Sequence, residues 1–142
     1  MPDSDLTSKA EAALKSVADG LSLTNVTVNT GQDDDTVGLP NVILTVEQSG
    51  EEVPLHTGNF VLTARITVNS DSAADTALAT HRTRVATVHD AFMSDTIGAS
   101  LSAAVTGFYA YEPWARRTGK ITKEKALCDW LELDFLACAA DL

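Results

Sequence analysis

Apolar residues recur at helical spacing near the start of the chain. The apolar positions are Leu6, Ala10, Ala13, Leu14, Val17 and Leu21. Steps of three and four place such residues along one stripe of a helix, and Gly20 is a natural stop beyond the last turn. The pattern predicts an amphipathic helix from about Ser4 to Asp19, packed by its apolar stripe against another element.

Alternation of apolar and polar residues indicates strands in the next part of the chain. The clearest alternating run begins at Asn59 and extends to Val68, a second covers Asn41 to Glu47, and a short one covers Val26 to Val28. Side chains of a strand point to opposite faces in turn, so each run predicts a strand with at least one buried face. The turn-forming residues Gln48-Ser49-Gly50 and Asn69-Ser70-Asp71 are predicted to end the two longer strands.

The second half of the chain returns to helical spacing and then to alternation. Ser72 with Asp75 has the form of a helix start, which predicts a helix to about Met93. A short helical piece is predicted around Asp95 to Val105, followed by a strand at Phe108 to Tyr111. Alternation from Ala126 to Ala137 predicts a last strand.

This order of elements predicts an α+β fold. Short turns join the middle strands, so the economical arrangement is a mostly antiparallel sheet with two main helices packed on one face. At 142 residues the chain has the ordinary length of one domain, and we expect a single domain over 1–142.

Composition and charge narrow the functional classes. Apolar residues make up 44% of the chain and charged residues 21%, as in ordinary water-soluble domains. No apolar run approaches the roughly 18 residues that span a bilayer, and the acidic start, Met1 to Asp5, predicts no signal peptide. The formal net charge of −10 weighs against general binding of nucleic acid, which needs a basic surface. Cys128 and Cys138 share one predicted strand and cannot form a bridge along it, so we expect both to be reduced in a protein made in the cytoplasm.

Basic residues are concentrated in one segment. Five of the ten lie within ten positions, namely Arg116, Arg117, Lys120, Lys123 and Lys125. Such a cluster is usually solvated, and a basic loop is predicted over residues 113–125. The functional alternative is a docking patch for an acidic neighbour, including another copy of this acidic chain.

The chain shows no catalytic or metal-binding pattern that we would assign. His81 falls on the apolar stripe of the second helix, where a hydrogen-bonded core or interface histidine is expected. Asp33-Asp34-Asp35 lacks the spacing of a calcium loop and indicates a solvated acidic loop. Glu132 and Asp134 share one strand face, which solvent or a subunit interface explains more simply than acid/base catalysis. We therefore expect no enzyme activity, no cofactor and no bound metal.

The order of elements resembles the tail-terminator (tail-completion, or minor tail) proteins of siphophages. The resemblance covers about residues 5–112. The segments that carry it are Ala10-Glu11-Ala12-Ala13-Leu14, Leu39-Pro40-Asn41-Val42-Ile43-Leu44, Thr57-Gly58-Asn59-Phe60 through Val68, and the helix with His81-Arg82 and Ala91-Phe92-Met93.

The resemblance implies a structural virion protein. Members of that family have a sheet with helices and assemble into a hexameric ring on top of the tail tube, where the ring stops tube growth and joins the tail to the head. The implied partners are other copies of the chain, the tail-tube protein and the head-tail connector proteins, with genome DNA passing through the ring and no membrane. The implied location is the virion neck, after assembly in the host cytoplasm. The alternatives are another neck or tail-tube ring protein and a small ligand-binding domain or enzyme.

Charged residues suggest how such a ring would work. Six copies of a chain with a charge of −10 make an acidic ring, whose lumen would repel passing DNA. We hypothesise that acidic residues project into the lumen or onto the faces of the ring, and that the basic cluster meets acidic partners. The acidic candidates are Asp33, Asp34, Asp35, Glu51 and Glu52.

Overall fold

The structure is a computed structural model that describes residues 3–23, 26–30, 40–51, 60–71, 77–123 and 126–139. Within these ranges the chain forms three helices and five strands. In chain order they are α1 (Asp3–Gly20), β1 (Thr27–Thr30), β2 (Asn41–Glu51), β3 (Phe60–Asp71), α2 (Ala77–Phe92), α3 (Ile97–Ala104), β4 (Phe108–Lys123) and β5 (Ala126–Ala139).

The strands form one sheet in the order β1-β2-β3-β5-β4. β1 runs parallel to β2, and the other neighbours are antiparallel. β-Bulges interrupt the β2–β3 pairing between Gln48 and Gly50, and the β4–β5 pairing at two places between Tyr111 and Arg117. Bulges bend a strand and increase its twist, so they curve the sheet at these points.

One face of the sheet, here called the helix face, packs against all three helices. On β3 the alternating residues Leu62, Ala64, Ile66 and Val68 are fully buried. They join a single core with apolar residues of every helix; the core members from the helices are Leu6, Ala10, Ala13, Leu14, Ala18, Val88, Phe92, Ile97 and Leu101. Burial of this stripe is the main favourable contribution to the fold, because apolar area leaves water. The predicted α+β class, with an antiparallel majority and helices on one face, is confirmed.

Helix positions agree with the sequence pattern, whereas two predicted strand ends are wrong. α1 and α3 occupy the predicted segments; the residues predicted to start α2, 72–76, lie outside the described residues. Gln48-Ser49-Gly50 continues β2 through a bulge instead of turning. Asn69-Ser70-Asp71 continues β3, because Asn69 and Ser70 are buried and hydrogen-bonded to other elements.

The predicted basic loop over residues 113–125 is also wrong for most of its length, since β4 continues to Lys123. Pro113 and the charged residues are tolerated because β4 lies at the end of the strand order, where one side of the strand needs no partner. The last strand was correctly predicted and ends at Ala139. Both cysteines on it are free, as expected.

No helix in the described ranges is long and apolar enough to span a membrane.

Candidate functional site

The face of the sheet opposite the helices, here called the polar face, carries a cluster centred on Trp130. The guanidinium of Arg65 lies 4.6 Å from the centroid of the indole, and that of Arg117 lies 5.3 Å from it. Both cations are within the range of attraction to an aromatic ring. Arg117 also donates through Nε to a carboxylate oxygen of Glu132, with which it pairs across the β4–β5 ladder. Three neighbouring strands therefore hold two arginines around one indole and one carboxylate.

Gly119 makes room for the indole. A Cβ at this position would lie 2.4 Å from Cζ2 of Trp130 and 2.7 Å from its Cε2, far inside van der Waals contact. Gly119 and Trp130 are partners in the β4–β5 register, so the ring lies across the β4 backbone. A close approach of a ring to a backbone is a position that only glycine fills without displacement.

Beside this cluster the polar face forms a shallow pocket of about 220 Å³. Its lining residues are Thr45, Glu47, Thr63, Arg65 and Glu132. The hydroxyl of Thr63 donates to Oδ1 of Asp134 over 2.6 Å, and Asp134 is 7% exposed. Glu132 and Asp134 share a face, as the alternation predicted, but partners within the chain hold both carboxylates.

A second polar constellation joins α2 to the helix face of the sheet. Nδ1 of His81 lies 2.8 Å from Oγ of Ser70, and its Nε2 lies 2.8 Å from Oδ1 of Asp129. Arg84, one turn further along α2, donates to the same Ser70 hydroxyl over 3.2 Å. The prediction of a hydrogen-bonded core histidine at position 81 is confirmed.

The order Ser–His–Asp is that of a hydrolase triad, but its surroundings do not suit catalysis. Ser70 is 1% exposed and His81 2% exposed, so the hydroxyl has no route to a substrate carbonyl. The Ser70 oxygen also accepts a hydrogen bond from the Arg84 guanidinium, which withdraws electron density from the oxygen and weakens it as a nucleophile. The constellation instead supplies hydrogen bonds to buried polar groups and fixes α2 on the sheet.

The basic cluster lies along β4. Arg117 and Lys120 are exposed, and Arg116 and Lys123 belong to the same strand. Lys120 is the register partner of Asp129, and Arg117 that of Glu132, so these two cations point to opposite faces of the sheet. The two basic residues of the cluster whose side chains the structure describes thus lie on opposite faces of one strand. Lys125 lies outside the described residues.

The acidic candidates are only partly covered by the structure. Glu51 is the last residue of β2, whereas Asp33, Asp34, Asp35 and Glu52 lie outside the described residues. Their proposed position in a lumen or on a ring face stays a prediction.

α3 covers the first part of the outer edge of β4. The backbone N–H of Ala110 donates to Oγ of Ser102 over 2.9 Å, and this hydroxyl lies 3.1 Å from the Ala110 carbonyl oxygen. α3 approaches closely, because a Cβ on its Gly98 would lie 3.3 Å from that same carbonyl oxygen. A serine side chain therefore occupies the backbone groups that a further strand would use at Ala110.

Comparison with known proteins gives a fold relationship. No protein-family model matches the chain, and no curated protein matches it. Among solved structures it is similar to a chain of the virion of a native gene transfer agent (GTA) particle, with a TM-score of 0.52 and 22% sequence identity. The alignment covers 92% of this chain and 96% of the other. At this identity the likeness establishes a shared fold over nearly the whole of both chains.

Sequence reasoning missed the Trp130 cluster and the partners of His81. The alternation predicted that Glu132 and Asp134 share one strand face, but Arg65 of the cluster comes from a strand far away in sequence. The sequence does place Gly119 close to Arg116 and Arg117, a combination that would fit a strand packed under an aromatic ring. The prediction of a loop over this segment hid that signal.

Proposed function

We propose that this chain is a non-catalytic structural protein of a virion, and specifically a tail-terminator subunit that forms a ring at the top of the tail tube. The observation that carries the proposal is the fold shared, over 92% of this chain and 96% of the other, with a chain of a gene transfer agent virion. The sequence resemblance to siphophage tail terminators is an independent argument for the same class. The tail tube and the head connector would be its neighbours, and the ring is taken to be hexameric as in that family.

The edges of the sheet and the basic residues of β4 are suited to binding other proteins. The sheet ends in two strands, β1 and β4, and each has a described sheet partner on one side. Basic groups are gathered on β4 in a chain with a net charge of −10, which gives a local attraction for acidic surfaces. The acidic residues elsewhere support the hypothesis of a lumen that repels DNA.

Negative-stain electron microscopy of the purified chain, alone and mixed with tail tubes, tests the proposal. Rings without filaments, and tubes capped at one end, are expected, because a head-to-tail contact that closes gives a ring and one that does not close gives a filament. Filaments would favour the second candidate, a tail-tube or other neck ring protein. A chain that stays monomeric at high concentration and turns over or retains a small molecule would contradict the proposal in favour of a ligand-binding domain or enzyme.

A pair of charge reversals tests the role of the basic cluster. Lys120→Glu/Lys123→Glu is expected to block attachment of heads to tails while leaving the chain folded, and it spares Arg117, which is paired with Glu132. Lys15→Glu/Arg82→Glu makes the same change in net charge on exposed side chains of α1 and α2. It breaks the exposed pair of Lys15 with Asp19 and is the control for net charge. Normal particle assembly with the first pair would remove the basic cluster from the proposal.

A further inference from the structure

The two ends of the sheet differ in length and in how they are covered. β1 has four residues and β4 has sixteen, and each is the last strand at its end of the described sheet. Backbone N–H and C=O groups on the outer side of such a strand are ready to pair with another strand. Whether an edge can accept a strand therefore depends on which of these groups already have a hydrogen-bond partner.

On β4 the outward backbone groups that have a hydrogen-bond partner among the described residues can be distinguished from those that have none. Both backbone groups of Ala110 point outward, because they meet the Ser102 hydroxyl of α3. In an antiparallel ladder the outward-pointing residues alternate with those bonded to the neighbour. Ala110 pairs with Ala137 of β5, so residues of β4 that pair with odd-numbered residues of β5 also point outward.

By this rule the outward backbone groups beyond the bulges belong to Thr118, Lys120 and Thr122, whose partners on β5 are Leu131, Asp129 and Leu127. The register is regular from Arg117 to Lys123, so this half of β4 keeps the geometry that a further strand requires. No described residue forms a hydrogen bond with the outward groups of these three residues, in contrast to the half covered by α3.

On β1 the same reasoning identifies Thr30. The N–H of Thr27 donates to the Pro40 carbonyl on the β2 side over 3.2 Å. Alternation then directs the backbone groups of Val28 and Thr30 away from β2. The side chain of Val28 packs on the core, so Thr30 is the outward position that can be changed with least effect on packing.

The sequence at the two edges carries opposite formal charges. The part of β4 from Arg117 to Lys123, whose outward groups have no partner among the described residues, is here called the free half of β4. Three of its residues are basic: Arg117, Lys120 and Lys123. In the sequence, Asp33, Asp34 and Asp35 follow Thr30 within five positions. Two β4 edges would bring like charges together, which disfavours a symmetric pair, whereas β1 is followed in the sequence by three aspartates, which favours it as the partner of β4.

We infer that copies of this chain join head to tail, with the free half of β4 in one copy pairing as a strand with β1 of the next. The inference rests on the ring-forming function proposed above and names the contact that would build the ring. The sheet of each copy then continues into the next, and α3 limits the contact to Arg117–Lys123 because Ser102 occupies Ala110. A contact between two different surfaces is the type that generates rings.

Proline substitution at outward-pointing positions tests this pairing. Thr118→Pro on β4 and Thr30→Pro on β1 each remove one outward N–H without removing a bond to β5 or β2. Each variant is expected to be monomeric, by sedimentation velocity, at concentrations where the natural chain associates. Thr118→Val and Thr30→Val keep the N–H and the branched side chain, and they are expected to associate like the natural chain.

Mixing the two proline variants gives the decisive measurement. One copy then has an intact β1 edge and the other an intact β4 edge, so a 1:1 mixture is expected to form dimers and nothing larger. A mixture that stays monomeric would overturn the head-to-tail arrangement. If Thr118→Pro unfolds, as judged by circular dichroism, Thr122→Pro tests the same edge at the next outward position.

The outcomes separate this inference from the function on which it rests. Rings formed by both proline variants would overturn the strand pairing and leave the ring-forming proposal standing on another contact. A natural chain that remains monomeric at every concentration would overturn both.

Discussion

At the residue scale, the arrangement of side chains on the polar face depends on a single glycine. Gly119 lies against the indole of Trp130, and this ring is held between Arg65 and Arg117. The ring position, the two cation–aromatic contacts and the ion pair of Arg117 with Glu132 are thus coupled through one point of close contact.

Gly119→Ala is expected to lower the free energy of unfolding by about 1–3 kcal/mol, the usual range for overpacking. The added Cβ would lie 2.4 Å from the indole, so the ring must move and its contacts with the arginines weaken. Chemical denaturation measures the first effect and tryptophan fluorescence, to which Trp130 contributes with Trp114, measures the second. Gly20→Ala is the control, since nothing lies within 4 Å of its Cβ; an equal loss in both variants would contradict the explanation.

The His81 constellation makes a second prediction at this scale. His81→Phe removes both hydrogen bonds, leaving Ser70 with Arg84 alone and Asp129 without the imidazole, which is expected to cost about 1–3 kcal/mol of folding free energy. Arg82→Ala, at an exposed neighbouring position, is expected to change stability by no more than about 0.5 kcal/mol. Thermal and urea unfolding check both values, and equal stabilities would show that the histidine does not tie α2 to the sheet.

His89 on the same helix is expected to make stability depend on pH. Burial lowers the pKa of its imidazole below the ordinary 6.5, and the nearby carboxylates of Asp129 and Asp90 offset part of this effect. His89 therefore takes up its proton at a higher pH in the unfolded chain than in the folded chain. The free energy of unfolding is thus highest above about pH 6.5, and it decreases as the pH falls from there through the pKa of His89 in the folded chain. Denaturation at several pH values should show a flatter profile for His89→Gln than for the natural chain. An unchanged profile would assign the effect to other groups, and Arg82→Gln is the control at an exposed position of α2.

At the scale of elements, α3 and β4 act as one unit. α3 is only eight residues long, and its Ser102 supplies the hydrogen bonds that the outer edge of β4 lacks at Ala110. A short helix of this kind is stable because of its tertiary contacts, since an isolated helix of that length is marginal in water.

Ser102→Ala is expected to reduce stability by about 1–2 kcal/mol, because the N–H of Ala110 loses its acceptor. Amide hydrogen exchange at Ala110 should accelerate more than at the β4 positions bonded to β5. Ser100→Ala, at an exposed position of the same helix, is the control. Unchanged protection at Ala110 would contradict the role given to the Ser102 hydroxyl.

At the scale of the whole molecule, net charge and local charge act in opposite directions. A formal charge of −10 gives self-repulsion within a folded chain, whereas the basic segment of β4 attracts other acidic chains. We therefore expect the net charge to repel DNA and the basic segment of β4 to promote association with other copies of the chain.

Added salt should separate the two effects. Raising the salt from about 0.01 M to about 1 M shortens the Debye length from about 30 Å to about 3 Å, and it is expected to raise the unfolding free energy of the single chain while weakening association of copies. Denaturation and sedimentation over this series measure both. An association that strengthens with salt would point to an apolar interface instead of the charged edges.

Local patterns carried much of the fold. Leu62 to Val68 alternate so regularly that burial of one face of β3 follows from the sequence, and the apolar stripe of α1 follows from steps of three and four. Both patterns are local because the side-chain periods of strand and helix are set by the backbone itself. The helix face and the α+β class were predictable for that reason.

What only the tertiary structure decided are the contacts between residues distant in sequence. Residues 113–123 have the composition of a loop and form a strand, because β5 pairs with one side of them and a charged outer side is tolerated at the end of a sheet. His81 was predictable as buried, but Ser70 and Asp129 are 11 and 48 positions away. The sequence by itself determined which side chains must leave water. The tertiary structure decided which polar groups meet, and which outward strand groups have a partner among the described residues, because hydrogen-bond partners depend on how distant segments are brought together.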